Sequence, residues 1–267
     1  MRLITFDALR CLEIPDTRYI KPELMFRHKD EIKEADWILF PEYWQVNSLV
    51  YSLQRRIFPS LSSYHLGHDK IEMTRALWAL CPEHVPHTAI LPATHTSYDQ
   101  VLDAFTYPFI AKEVRNSMGR GVHLIESRDD FISYCRNNDV LYIQEYLPIK
   151  RDLRVVYVGD KIIGAYWRTG REGDFRNNIA QGGSIDYQDI PQSALDLVSC
   201  VSSALHINHA GFDIAVVADQ FYILEFNTLF GTVGLRQRNI SVGEHIIEFL
   251  QKHMPHPTTP PNFRLSA

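Results

Sequence analysis

The chain has 267 residues, 45% of them apolar and 12% aromatic, enough for one large domain or two to three small ones. Charged residues make up 22%, and the formal charge of −5 argues against non-specific nucleic-acid binding, while leaving room for a local basic pocket. No run approaches ~20 apolar residues, so no segment is expected to span a membrane.

Met1 to Asp7 lacks the apolar region and cleavage site of a secretory signal. The four cysteines (Cys11, Cys81, Cys135, Cys200) are scattered without a Cys-x-x-Cys pair, the pattern of reduced thiols in a cytoplasmic protein. Arg2 to Phe6 and Ala35 to Phe40 read as buried strands, with a helix over Val46 to Arg55 before Arg56-Ile57-Phe58-Pro59. Together they suggest a small α/β unit of roughly sixty residues, near the size at which a domain holds together alone. Residues 10–30 are polar and carry no clear period. His65 and His68 have no third ligand at zinc spacing and read as loop or surface histidines.

Asp69 to Leu80 has helical spacing, ended by Pro82 and Pro86, with Lys70 in the first turn. Leu91 to Gln100 reads as a polar connection. Tyr107 to Lys112 is a short strand ending in a lysine. A loop with Ser117, Gly119 and Gly121 follows, then a strand from Val122 to Ile125 and a helix from Asp129 to Arg136. Glycines let such a loop bring backbone N–H groups against phosphate oxygens, although an ordinary hairpin has the same composition. The spacing is not that of a P-loop. Val140 to Pro148 begins as a strand and ends as a connector through Gln144, Glu145, Tyr146 and Leu147. Arg154 to Val158 and Lys161 to Trp167 flank Gly159-Asp160, a two-residue hairpin link. Residues 169–184 form a polar, glycine-rich segment whose positive charges suit an anionic ligand or a solvated surface loop. Ala194 to Ile207 and Val242 to Leu250 are amphipathic helices, and the Pro-rich tail from Met254 is expected to be poorly ordered.

Phe212 to Val217 and Phe221 to Asn227 read as a second hairpin, linked by Ala218-Asp219-Gln220. A three-residue link sets Val217 opposite Phe221 and therefore Asp213 opposite Glu225, with Cβ atoms about 4.5–5.5 Å apart. Glu225 and Asn227 share a face. Two carboxylates that close repel, and two readings resolve this. Either the three residues lie on a solvated sheet face, or they ligate a divalent cation, for which hard oxygen donors suit Mg²⁺.

These pieces, in this order, resemble the ATP-grasp superfamily, and most closely its RimK-type branch of carboxylate–amine ligases. The resemblance spans about Gly67 to Leu250. It rests on Asp69-Lys70, on Pro108 to Lys112 before the Ser117/Gly119/Gly121 loop, on Gln144-Glu145-Tyr146 and on Asp152-Leu153-Arg154. It rests also on Glu172-Gly173-Asp174-Phe175-Arg176-Asn177-Asn178 with Gly182-Gly183, on Gly211-Phe212-Asp213-Ile214 and on Glu225-Phe226-Asn227. It implies an α/β ATP-grasp fold, with ATP between two α+β lobes after a shortened N-terminal α/β domain. The ranges are 1–62 for that domain, 63–143 for the central lobe, 144–253 for the C-terminal lobe and 254–267 for the tail.

Carried over residue by residue, the resemblance implies that Lys70 and Lys112 neutralise phosphate charge. The Ser117, Gly119 and Gly121 loop covers the phosphates; Gln144, Glu145, Tyr146 and Leu147 read adenine, and Asp152 takes the ribose. Arg176, Asn177 and Asn178 belong to a nucleotide-binding segment. Arg168 and Arg176 stabilise the γ-phosphate and an acyl-phosphate oxyanion. Asp213, Glu225 and Asn227 hold Mg²⁺ or Mn²⁺, as two ions. The implied reaction is ATP-dependent. A carboxylate of an amino acid or peptide attacks the γ-phosphate, giving an acyl phosphate and ADP, and an amine then displaces phosphate. The other readings are a small-molecule kinase and a nucleotide-binding module without turnover; the retained lysines and metal-type residues argue against the last. Thr228-Leu229-Phe230-Gly231 and Gln181 depart from the branch's pattern, so the resemblance does not extend to the identity of the substrate.

Overall fold

The computed structural model describes residues 1–114, 121–170 and 183–254. Its contacts divide the chain into two compact units: residues 1–58 together with the segment from Ser241, and residues 59–240.

The first unit opens with β1 (Leu3–Thr5), β2 (Thr17–Tyr19), α1 (Lys29–Lys33), β3 (Trp37–Leu39), α2 (Tyr43–Asn47) and β4 (Ile57–Phe58). The strands form a parallel sheet in the order β2-β1-β3-β4. Every residue of β1 and β3 is buried, as expected of parallel strands covered on both faces. Residues 10–30, which show no period in the sequence, contribute the edge strand β2 and a 3-10 turn over Pro22–His28. Neither is long enough to reveal a period.

The second unit contains α3 (Leu61–His68), α4 (Lys70–Leu80), β5 (Thr88–Pro92), α5 (His95–Ala104), β6 (Phe109–Lys112), β7 (Val122–Ile125), α6 (Arg128–Arg136) and β8 (Val140–Glu145). It continues with β9 (Arg151–Val158), β10 (Lys161–Thr169), β11 (Ser184–Asp186), α7 (Gln192–Ala204), β12 (His209–Val217), β13 (Gln220–Asn227) and α8 (Val233–Arg236). Two antiparallel sheets result, β5-β8-β6-β7 and β11-β10-β9-β12-β13. The first buries Phe109, Leu141 and Ile143 with Val101, Phe131 and Tyr134 of α5 and α6. The second buries Leu153, Val155, Phe212, Ile214 and Phe226 with Val198 and Val201 of α7 and Met73 and Leu77 of α4.

Two expectations need correction. Leu91 to Gln100 is not a plain connection: it holds the end of β5 and the first half of α5. Thr94 caps that helix by accepting from Ser97 N at 3.2 Å. Among the helix residues only Ser97 and Val101 are buried, so no apolar stripe marks it in the sequence. His65 and His68 lie in the last turn of α3, so the loop half of their expectation is corrected, while the surface half stands, with His68 exposed and His65 half-buried.

The chain then returns to the first unit as α9 (Val242–Lys252), a helix the sequence reading groups with the C-terminal lobe. Phe249 meets Trp37 and Phe58 at ring-centroid distances of 6.3 and 5.8 Å, and Ser241 Oγ donates to Glu13 Oε2 at 2.8 Å. Of the Pro-rich tail, everything after Met254 lies outside the described residues. No described helix is long and apolar enough to cross a membrane.

Candidate active site

The larger sheet of the second unit has one apolar face and one polar face, and two β-bulges decide which residues lie on each. The turn between β12 and β13 uses two residues, Ala218 and Asp219, both at positive φ, rather than the three read from the sequence. Val217 therefore faces Gln220. A straight ladder from that turn would set Asp213 opposite Leu224. A bulge next to Ile214 restores the offset, and Asp213 pairs with Glu225 after all. The β9–β10 hairpin repeats the device. Its two-residue turn at Gly159-Asp160 starts a register that shifts between Ile162 and Gly164. Beyond the shift Tyr166 faces Arg154 and Arg168 faces Asp152. Without it, Trp167 would oppose Asp152, and Arg168 would turn into the apolar core.

The outcome is a row Tyr166–Arg154–Asp213–Glu225 across four strands, beside the pair Arg168–Asp152. Asp152, Arg154, Arg168 and Asp213 are all buried. Arg168 grips Asp152 with two hydrogen bonds, Nε to Oδ1 and Nη2 to Oδ2, both 2.8 Å. Arg154 Nη2 donates to Asp213 Oδ2 at 3.2 Å. Arg154 Nε and Arg168 Nη2 each lie 2.7 Å from Asp213 Oδ1. Two positive and two negative groups thus neutralise one another away from water, where an unpaired charge is costly. Burial pushes the Asp152 carboxyl up, against the pull of Arg168. Burial disfavours the charged form of Arg168 as well, but Asp213 and Asp152 outweigh it and raise its pKa.

Glu225 and Asn227 follow on the same face, with Asn227 Nδ2 donating to Glu225 Oε1 at 3.1 Å. Lys112, at the end of β6, is also buried, its ammonium 5.7 Å from the centre of the Tyr142 ring. Burial lowers its pKa to about 8, Glu225 and Asp213 oppose that shift, and Lys70 adds to it. The two sheets therefore bring Lys70, Lys112, Asp213 and Glu225 within electrostatic reach of one another. Lys70 holds the first position of α4, whose N-terminus Asp69 caps by accepting from Ile71 N and Glu72 N.

Of the remaining sequence-predicted residues, those described lie at the end of β8, in the connection after it and at the β6–β7 hairpin. Gln144, at the end of β8, is buried and donates to Thr88 Oγ1 at 2.9 Å. Glu145 Oε1 accepts from His87 N at 2.6 Å, which leaves Tyr146 and Leu147 to lead the half-buried connection into β9. Gly121, at φ 74°, receives Glu113 N at 2.7 Å and closes the base of the β6–β7 hairpin. Ser117, Gly119, Arg176, Asn177 and Asn178 lie outside the described residues.

Among the described residues, no three His, Cys, Asp or Glu side chains form a metal-binding group by themselves. Asp213, Glu225 and the Asn227 amide oxygen nevertheless form a hard-oxygen set of the kind Mg²⁺ takes when phosphate completes its shell. The fit carries one feature absent from the sequence reading: Asp213 already shares its charge with two guanidiniums. Arg154 had no assigned role in that reading. Its signals are its place in the Asp152-Leu153-Arg154 piece of the resemblance and the i, i+2 spacing from Asp152 on a strand whose alternate residues, Leu153 and Val155, belong to the core.

A family model described as the RimK-like ATP-grasp domain matches residues 68–250. A probable alpha-L-glutamate ligase of Enterobacter sp. (strain 638) is 27% identical over 213 residues, covering 74% of this chain and 71% of that one. A probable alpha-L-glutamate ligase 2 of Shewanella amazonensis is 32% identical over 155 residues, 54% of this chain and 50% of its own length. The crystal structure of a RimK domain ATP-grasp protein from Sphaerobacter thermophilus superposes with a TM-score of 0.72 at 15% identity, covering 93% of this chain and 99% of that one. The chain belongs to the RimK-like ATP-grasp family and is by class an ATP-dependent carbon–nitrogen ligase.

Proposed function

We propose that the protein joins the carboxylate of an amino acid or peptide to an amine, at the expense of ATP, on the polar face of the β9–β13 sheet. The observation that carries this reading is the convergence of Asp213, Glu225 and Asn227 with Lys112, two hard-oxygen carboxylates and an amide beside a buried cation. Lys112 and Lys70 are the phosphate-facing cations, acting as point charges. Mg²⁺ held by Asp213, Glu225 and Asn227 would supply further positive charge to the phosphate oxygens. Arg168, anchored on Asp152, is the guanidinium offered to the anion that builds up as phosphoryl transfer proceeds. The carboxylate oxygen forms its bond to the γ-phosphorus as the bond to ADP breaks. The amine nitrogen then attacks the acyl carbon, loses a proton, and phosphate leaves. Asp152, buried against Arg168, is read here as the group that holds this arginine in place. The named relatives point to glutamate, and the altered Thr228–Gly231 segment keeps the substrate class at amino acid or peptide.

A screen of ADP release over amino acids and peptides, with and without a second amine, tests the proposal. Release that needs both a carboxylate and an amine is expected; release with a hydroxyl compound alone would replace the ligase by a kinase. Glu225→Gln is expected to lower turnover by about a hundredfold or more with an unchanged circular dichroism spectrum. A folded variant that turns over like the wild type removes Glu225 from the site.

A further inference from the structure

Among the described residues, Asp213 is the proposed metal ligand held in direct ion pairs with guanidiniums. Its Oδ1 has Arg154 Nε and Arg168 Nη2 at 2.7 Å, and its Oδ2 accepts from Arg154 Nη2 at 3.2 Å. Two positive groups therefore occupy the carboxylate that a dication needs. Arg168 has a second carboxylate, Asp152, to which it holds with both nitrogens. Among the described residues, the carboxylate that Arg154 contacts in this cluster is Asp213. The sheet also shapes the place where Arg154 lies. A Cβ at Gly211 would collide with Arg154 Nη1 and come within 3.0 Å of Phe230 Cβ, so the glycine leaves room for the guanidinium against the strand.

We infer that Arg154 is a positioning residue that cages Asp213, and that loading of the divalent cation displaces it. The inference rests on the reading of Asp213 as a metal ligand. A cation arriving at Asp213 and Glu225 meets a guanidinium at the carboxylate, and like charges at that range repel strongly in a buried site. Either the cation stays out or Arg154 lets go. Once released, Arg154 is an unneutralised guanidinium on the polar face, next to Arg168, and it is then offered to an anion. Cation binding and anion binding are in this way coupled through one side chain, and by linkage each tightens the other. Arg168 remains anchored by Asp152 throughout. The cluster thus divides its two arginines into one that is fixed and one that is exchanged.

The test is the affinity of the full chain for Mn²⁺ alone, read by electron paramagnetic resonance of the free ion, without nucleotide. Arg154→Gln removes the competing charge and is expected to tighten Mn²⁺ binding by at least about fivefold. A purely structural role for Arg154 predicts the opposite, a looser site and weaker binding. Unchanged or weakened binding overturns the inference. Glu225→Gln separates this failure from failure of the metal reading. If Glu225→Gln weakens Mn²⁺ binding while Arg154→Gln does not tighten it, the site is a metal site but the cage is wrong. If Glu225→Gln changes nothing, the metal reading falls and the cage falls with it. Should Arg154→Gln not fold, Arg154→Lys carries the test. It keeps a charge but loses the grip by two nitrogens, and a tightening of about twofold is expected. No tightening there also overturns the inference.

Discussion

Lys112 is 7% exposed, and burial brings its pKa from 10.5 down to about 8 in spite of the nearby carboxylates. The sign of the consequence follows from linkage. Between about pH 8 and 10.5 the unfolded chain holds this proton and the folded chain does not, so stability rises with pH across that window. Below pH 8 the free protein carries a buried ammonium with no phosphate to offset it. Lys112→Met is therefore expected to be more stable than the nucleotide-free wild type at pH 7, with a gain that fades as pH climbs through 8 to 10.5. Denaturant midpoints of the two proteins across that range measure it, and a pH-independent difference sinks the account. At this scale the sequence was informative wherever a residue ends a strand or opens a helix. The phosphate roles of Lys112 and Lys70 came only from the family resemblance, but the strand end at Lys112, the first helical turn at Lys70 and the face shared by Glu225 and Asn227 were legible that way. Arg154 was not. Its partner lies on β12, 59 residues further along the chain, and only the pairing of β9 with β12 brings the two together.

The elements carry the site through their irregularities. Each of the two hairpins starts from a two-residue turn and shifts its register once, and each shift moves every later side chain to the opposite face. In β13 the sequence reading reached the right pair, Asp213 and Glu225, through a turn one residue too long. The bulge supplied the missing residue elsewhere. Turn length was misread because Ala218 is a poor residue for positive φ, and Asp219, although it tolerates that region, is followed by no glycine to mark a two-residue turn. The same mismatch makes a prediction. Replacing Ala218-Asp219 by Asn-Gly suits the observed backbone and is expected to stabilise the protein by about 1 kcal/mol, seen as a higher melting temperature with turnover unchanged. A three-residue turn in solution would show the reverse, a loss of stability. The strand and helix in 88–104 escaped the sequence reading for another reason. Prolines bracket β5, and α5 buries a serine and a valine rather than an apolar stripe.

Across the whole molecule, the second unit is an insertion: the chain leaves the first unit after Phe58 and re-enters it at Ser241. The α/β character of the first sixty residues was legible from their apolar strands. The return of α9 was not, because an amphipathic helix tells which face it buries but not against what. Phe249→Ala is expected to cost about 1–2 kcal/mol, less than emptying a fully buried aromatic site because Phe249 is half-buried. A chain stopped at Ile240 is expected to be cut by a protease within residues 1–58 while 59–240 resists; uniform resistance would show that α9 is dispensable. The order of synthesis gives the arrangement a further meaning. Trp37 and Phe58 leave the ribosome roughly two hundred residues before the helix that packs on them, so the first unit is expected to stay unfinished until residues 59–240 have been translated. A chain ended before Ser241 is expected to leave those rings without their helix, the kind of exposed apolar surface on which proteases and chaperones act.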